Sequence, residues 1–362
     1  MVTISLCMIV KNEEDTLARC LDTVKDIVDE IVIIDTGSTD KTKEVAAKYT
    51  TNIYDFEWVN DFAVARNYSF SKATKDYIMW LDADDILLEE DREKLIRLKR
   101  VMNPEIDIVM MKYNIKVDEK GIPKTTFTRE RLLKRSKQYE WVNPVHEYVK
   151  IHGKYFNSDI CITHRKVHNS GDRNLKILEN ILNDEGLNDR NTFYYARELY
   201  ANKKFDEAIT FYNKFLDSEG GFISNYMDAC MDLAKCHYIR KEDKKALRSL
   251  LRSLEFGIPR AEICCMIGEH FKNYKQYERA IYWYEVATKL EKPSTWGSVT
   301  HDSWGYRPHM ELCACYYKIG QVLKAKAFND MAGTYKPNDK IYLHNKKFFE
   351  MLLSKKETEE HE

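Results

Sequence analysis

The chain has 362 residues, and its 57 Lys and Arg against 58 Asp and Glu leave a net charge of −1 at pH 7. That balance supplies no field to gather nucleic acid or an anionic membrane, so any anionic ligand must be held by local chemistry. Hydrophobic residues make up 44% of the chain, enough for two cores, while no stretch approaches the roughly 18 apolar residues of a transmembrane helix.

The chain opens on ISLCMIVKNEEDTLARCLDTV. IVIID at 31–35 is a strand that stops at TGSTD, and YIMWL at 77–81 is another that stops at DADD, residues 82–85. Between them DFAVARN starts a helix capped by Asn60 or Asp61, with Phe62 packing inward or Arg66 and Asn67 facing a ligand. LLEEDREKLIRLKR continues as a helix after DADD. Apolar strands ending in acidic residues, with helical sequence between them, predict an α/β doubly wound unit whose carboxylates face the crevice at the strands' carboxyl ends.

After about residue 173 the pattern turns continuously helical. Small residues recur twelve apart at Ala196 and Ala208, Ala234 and Ala246, Gly268 and Ala280, and Cys313 and Ala325. Each pair marks two closely packed helices, and Ala246 to Ala280 keeps the period of about 34 residues of tetratricopeptide repeats. The expected division is therefore 1–172 α/β, 173–350 all-α repeats and 351–362 a charged, frayed tail. Residues 293–308, with Trp296, Trp304, Tyr306 and Arg307, read as an inserted loop available for binding. Nine cysteines without framework spacing, and no signal peptide in view, favour reduced thiols in a cytoplasmic protein.

Asp82 and Asp84 stand two apart, so in extended backbone both carboxylates point the same way and can share one divalent cation or sugar–phosphate. With the opening strand and helix, DEIVIIDTGSTDKT, FEWVNDFAVARNYSF, the DADD segment and RERLLKRSKQYEWVNPVHEYV in that order, the first 170 or so residues resemble the inverting glycosyltransferases of family 2, which have the GT-A (Rossmann-like) fold and bind a nucleotide sugar. The third and last blocks are similar to a subset that includes enzymes glycosylating proteins and bacteriocin peptides.

The resemblance implies roles. Asp35, at the end of the second strand, meets the base or ribose; Thr36 follows it where the family often has a second acidic residue. Asn12, Glu13 and Arg66 are further nucleotide-side candidates, Glu13 being equally readable as charge complementing a helix N-terminus. Asp84 binds Mn²⁺ or Mg²⁺, Asp82 reaches ribose or metal through water, and His164, or His168, completes the ion site. Glu147 is the candidate general base, His146 an alternative base or an orienting group, and Asp85 a third possibility. Trp141 stacks on a sugar ring or lies buried, and the basic run Arg129, Arg131, Lys134 and Arg135 meets the diphosphate or forms a solvated face.

The expected activity is metal-dependent, inverting transfer of a hexose or N-acetylhexosamine from a UDP-sugar to Cys, Ser or Thr of a peptide or protein, with the repeats docking the acceptor or forming a homodimer. An acceptor that is a cell-envelope saccharide or a lipid-linked sugar is one alternative, and a catalytically inactive repeat-based interaction protein another.

Overall fold

A computed structural model describes residues 1–118, 121–167, 171–293 and 297–359; His168 and Trp296 lie outside the described residues. The chain divides into two compact units, the first being Met1–Gly186 with a later segment that ends at Val299, and the second the remainder from Leu187.

The first unit is built on a mixed sheet. Its strands are β1 (Ile4–Val10), β2 (Glu30–Asp35), β3 (Ile53–Asp55), β4 (Tyr77–Trp80), β5 (Asp85–Leu87), β6 (Ile108–Val117), β7 (Pro123–Lys134) and β10 (Tyr155–His164), with a separate pair β8 (Trp141–Val142) and β9 (Tyr148–Val149). The path is β3-β2-β1-β4-β7-β6-β10-β5. β1 runs parallel to both β2 and β4, and β2 to β3, so these four strands end at one edge. β7 then runs antiparallel to β4 and β6, and β5 antiparallel to β10.

Strands buried on both faces read as unbroken apolar runs, as ISLCMIV and IVIID do. Ile4, Leu6, Met8 and Val10 pack on one face against Leu17 and Leu21 of α1 (Leu17–Asp22), Ala46 of α2 (Thr42–Ala46) and Leu95 of α4 (Glu89–Val101). Cys7, Val32 and Ile34 pack on the other against Ala63 and Phe70 of α3 (Phe62–Ser71) and against Trp80 and Trp141. Asp61 caps α3, its carboxylate accepting from the Val64 N–H at 2.9 Å.

Helical sequence does not mark the domain end. α5 (Arg173–Asp184) buries Leu175, Ile177 and Leu178 and belongs to the first unit, fourteen residues past the boundary drawn from periodicity. Arg173, in its first turn, lies over the Phe62 ring, 4.6 Å from its centroid.

The second unit is a run of helical hairpins: α6 (Asp189–Ala201) with α7 (Phe205–Leu216), α8 (Ile223–Ile239) with α9 (Asp243–Arg252), α10 (Ala261–Asn273) with α11 (Tyr277–Lys289), and α12 (Tyr306–Lys318) with α13 (Val322–Tyr335), followed by α14 (Lys340–Glu359). The small residues twelve apart sit where paired helices touch. Ala196, Ala208, Ala234, Ala246, Ala280 and Ala325 are fully buried, and a Cβ on Gly268 would come within 2.8 Å of the Tyr284 ring.

The turn inside each hairpin needs one left-handed residue, and the chain uses Lys203 (φ 63°), Lys241 (φ 61°), Lys275 (φ 58°) and Gly320 (φ 79°). A non-glycine residue there is strained by about 1–3 kcal/mol. Lys275→Gly is therefore expected to raise the thermal midpoint, and Lys275→Val, whose branched Cβ crowds this conformation, to lower stability by about 1–3 kcal/mol. Thermal melts of the two variants check both signs.

Two expectations in this unit are corrected. The 293–308 insertion is not an open loop where it is described: His301–Trp304 is a 3₁₀ turn, the Trp304 indole N–H donates to Glu262 at 2.9 Å, and Tyr306 donates to Asp339 at 2.6 Å, although Tyr306 and Arg307 do line a cavity of about 680 Å³. The buried Glu262 carboxylate also accepts from the Thr300 N–H and from Arg260, so Trp304 is drawn inward to satisfy it. The tail from 351 is helical as far as Glu359, because its Lys and Glu residues are good helix formers. All nine cysteines are free thiols, and burial pushes several of them, such as Cys264 and Cys265, up to about 12.

Candidate active site

The parallel edge gathers the functional side chains. Asp35 ends β2 and is 1% exposed; its Oδ1 accepts from the Gly37 and Ser38 N–H groups at 3.0 and 2.8 Å, while buried Oδ2 has no hydrogen-bond partner among the described residues. Such an orphan acceptor in native structure invites a ligand donor. Thr36 lines the cavity, its hydroxyl donating to the Val10 carbonyl at 3.1 Å. Asn12, left-handed at φ 56°, laces two loops together: its Oδ1 accepts from the Thr39 N–H at 2.8 Å and its own N–H donates to Ser38 Oγ at 2.9 Å. Glu13 lines the cavity and accepts from the Thr16 hydroxyl.

A cavity of about 390 Å³ opens here, lined among others by Glu13, Thr36, Asp82, Asp84, His146 and Glu147. Arg66 lines it, and its guanidinium makes two ion pairs, from Nη2 to Asp82 Oδ1 at 2.8 Å and from Nε to Glu147 Oε1 at 2.7 Å. It is clamped between aromatic rings, 5.1 Å from the Trp80 centroid and 4.9 Å from that of Trp141. Burial opposes ionisation of Asp82, but the Arg66 and Arg131 charges and the Arg66 hydrogen bond hold its carboxyl down at about 2.

Glu147 and His146 sit in a constrained segment. Asn143 (φ 85°) and His146 (φ 52°) are both left-handed, and the Pro144 carbonyl accepts from the Phe62 N–H at 2.8 Å, which ties this loop to the start of α3. Strain held by such contacts is a feature of sites where side-chain direction matters.

His164, at the end of β10, places Nδ1 3.2 Å from Asp84 Oδ1 and 3.3 Å from Asp85 Oδ1. Burial would lower its proton affinity; the hydrogen bonds and charges of Asp84 and Asp85 outweigh that and raise it to about 9. Asp84, Asp85 and His164 are also the group of side chains whose ligand atoms lie close enough to share a metal ion among the described residues. Asp84 and His164 were expected there. Asp82 is instead engaged by Arg66, and Asp85 takes the third place.

Further expectations fall differently. Asp85 is fully buried and paired with Arg131 at 3.1 Å, so it is not placed to take a proton from an acceptor. Trp141 is 2% exposed and packs edge-on against Trp80; it is a core residue, not a sugar platform. The basic run is no solvated face throughout, since Arg131 is completely buried. DADD does not cap α4, whose N-cap is Leu88. Phe62 lines the cavity with Trp58, centroids 4.7 Å apart, and Arg173 and Asn174 of α5 complete the wall. Trp58, Arg173 and Asn174 were not read from the sequence, and Phe62 was read only as packing inward. The one available signal was the spacing of Trp58 and Phe62, both apolar on the approach to a capped helix.

Residues 5–165 match the family model described as glycosyl transferase family 2. This stretch is a family 2 glycosyl transferase domain. It carries the GT-A architecture, and the hairpins that follow it are tetratricopeptide-like. The glycosyltransferase SunS of Bacillus subtilis is 26% identical over 288 residues, 75% of this chain and 66% of SunS. A TPR repeat-containing protein of Synechococcus elongatus is 35% identical over 150 residues, 41% of this chain and 36% of that protein. The chain thus spans between about a third and two thirds of the length of these curated relatives. Among solved structures, YrrB, described as a TPR protein with an unusual peptide-binding site, aligns with a TM-score of 0.38 at 14% identity, over 49% of this chain and 84% of YrrB.

Proposed function

We propose that this chain is a cytoplasmic, metal-dependent, inverting glycosyltransferase that moves a hexose or N-acetylhexosamine from a UDP-sugar to a Cys, Ser or Thr side chain of a peptide or protein. The observation that carries the reading is the cavity at the carboxyl edge of a family 2 domain, lined by both Asp84 and Glu147, with His164 paired to Asp84. The ligand atoms of Asp84 and His164 lie within 4.8 Å of one another, close enough to share one cation. Asp84 and His164 would hold Mn²⁺ or Mg²⁺, which when bound offsets charge growing on the departing diphosphate.

The chain's own residues supply the rest. The orphan Asp35 Oδ2 accepts a donor from base or ribose, with Thr36 and Glu13 bordering the nucleotide. Glu147 takes the acceptor proton as the acceptor sulfur or oxygen bonds to the anomeric carbon and the sugar–diphosphate bond breaks on the opposite face, inverting the centre. Arg66 holds Glu147 and Asp82 on one guanidinium and so keeps the two ends of the reaction in register. Among the described residues no helix is long and apolar enough to cross a membrane. We assign the repeat unit to the polypeptide acceptor; between α12 and α14 it carries an apolar cavity of about 680 Å³ walled by Met310, Tyr317 and Phe348.

Calorimetric titration with UDP, with and without Mn²⁺, tests the donor half of this reading. Tight binding only in the presence of the ion is the expected result. Equal binding in a chelator would remove the metal from the proposal, and no binding at all would remove the uridine nucleotide.

A further inference from the structure

Asp85 has the four neighbours that a carboxylate's lone pairs can accommodate. Its Oδ1 accepts from the Tyr113 hydroxyl at 2.7 Å and lies 3.3 Å from His164 Nδ1; its Oδ2 accepts from Arg131 Nη1 at 3.1 Å and from the Asp82 N–H at 3.2 Å. Asp85 and Arg131 are both completely buried. The guanidinium is itself sandwiched, 3.7 Å from the Trp80 centroid and 4.4 Å from that of Tyr113, and donates to the Trp80 carbonyl. The Tyr113 oxygen in turn lies 3.1 Å from His164 Nδ1. A cation that drew on Asp85 would have to compete with the fully buried Arg131 for the same carboxylate, whereas Asp84 is partly exposed to the cavity and pairs with His164.

We infer that Asp85, Arg131 and Tyr113 are positioning residues that hold the His164 ring through Nδ1 and leave Nε2 for the ion, and that Asp85 is not itself a ligand of the ion. The inference rests on the metal reading of Asp84 and His164 proposed above. Its logic is that of outer groups which fix the orientation of a ligating histidine, whose loss typically weakens metal affinity by about 10–100-fold.

The test measures Mn²⁺ affinity in the presence of UDP, from the electron paramagnetic resonance signal of free Mn²⁺, for wild type, Asp84→Ala, Asp85→Asn and Tyr113→Phe. Tyr113→Phe removes only a hydroxyl and keeps the ring on Phe127, so its fold, checked by near-UV dichroism, is expected to survive. The expected result is a loss of about 10–100-fold in both Tyr113→Phe and Asp85→Asn, with sugar transfer by Tyr113→Phe recovering at saturating Mn²⁺, a rescue that a general structural lesion does not show. Wild-type affinity in folded Tyr113→Phe overturns the assignment. If Asp85→Asn alone loses the ion, Asp85 is a ligand and the assignment is again overturned. If Asp84→Ala keeps the ion, the metal reading beneath it falls instead.

Discussion

Replacing Asp84 with alanine is expected to abolish Mn²⁺-dependent UDP binding and to cut sugar transfer by about 10³-fold or more, with the thermal midpoint nearly unchanged. Charge stabilisation at a departing group is commonly worth about 10²–10³ in rate for a single lost contact, and here the loss is compounded by weaker occupancy of the ion. The fold is expected to tolerate the change because Asp84 follows β4 on the cavity side and its carboxylate is engaged with His164, not with the core. Calorimetry and a transfer assay on the same preparation check both halves. Unchanged turnover in a folded variant would put the ion, or the site, elsewhere.

Glu147→Gln is expected to separate binding from chemistry. General-base removal lowers rate by about 10²–10⁴-fold, while UDP affinity is expected to stay because the proposed nucleotide contacts lie at the ends of β1 and β2. Arg66→Lys is the informative companion. A lysine is a point charge that cannot fork two carboxylates, so it is expected to lower both transfer and Mn²⁺·UDP affinity by freeing Asp82 as well as Glu147. Single-turnover rates beside UDP titrations read the difference. A fully active Glu147→Gln would remove Glu147 from the mechanism and make His146, its neighbour on the cavity wall, the residue to replace next.

Much of this protein was legible in one dimension because the physics that fixes it is local. A strand buried on both faces must be apolar along its length, so Glu30–Asp35 and Tyr77–Trp80 were visible as runs, and the acids that end them marked the edge where a ligand fits. Helices that touch need small residues at a fixed offset, so the hairpins were visible as Ala196 and Ala208, Ala234 and Ala246.

What was not legible depends on partners far apart in the chain. Arg131 sits in a basic run that reads as a solvated face, yet strand alternation and the order β4-β7-β6 drive it under Trp80 to meet Asp85, 46 residues earlier. Trp304 looked free in a polar insertion until the buried Glu262 claimed its N–H. Arg66 reaches Glu147 across 81 residues, and α5 brings Arg173 onto Phe62 although its sequence looks like the start of the repeats.

Sequence by itself therefore determined the elements, the two kinds of domain and the identity of the acidic residues at the edge, because periodicity and strand termination are set within a few residues. Tertiary structure alone decided which carboxylate is free for a ligand and which is spent on a buried arginine. A side chain's charge is written in the chain, but its desolvation and its partner come only from the strands that pack around it.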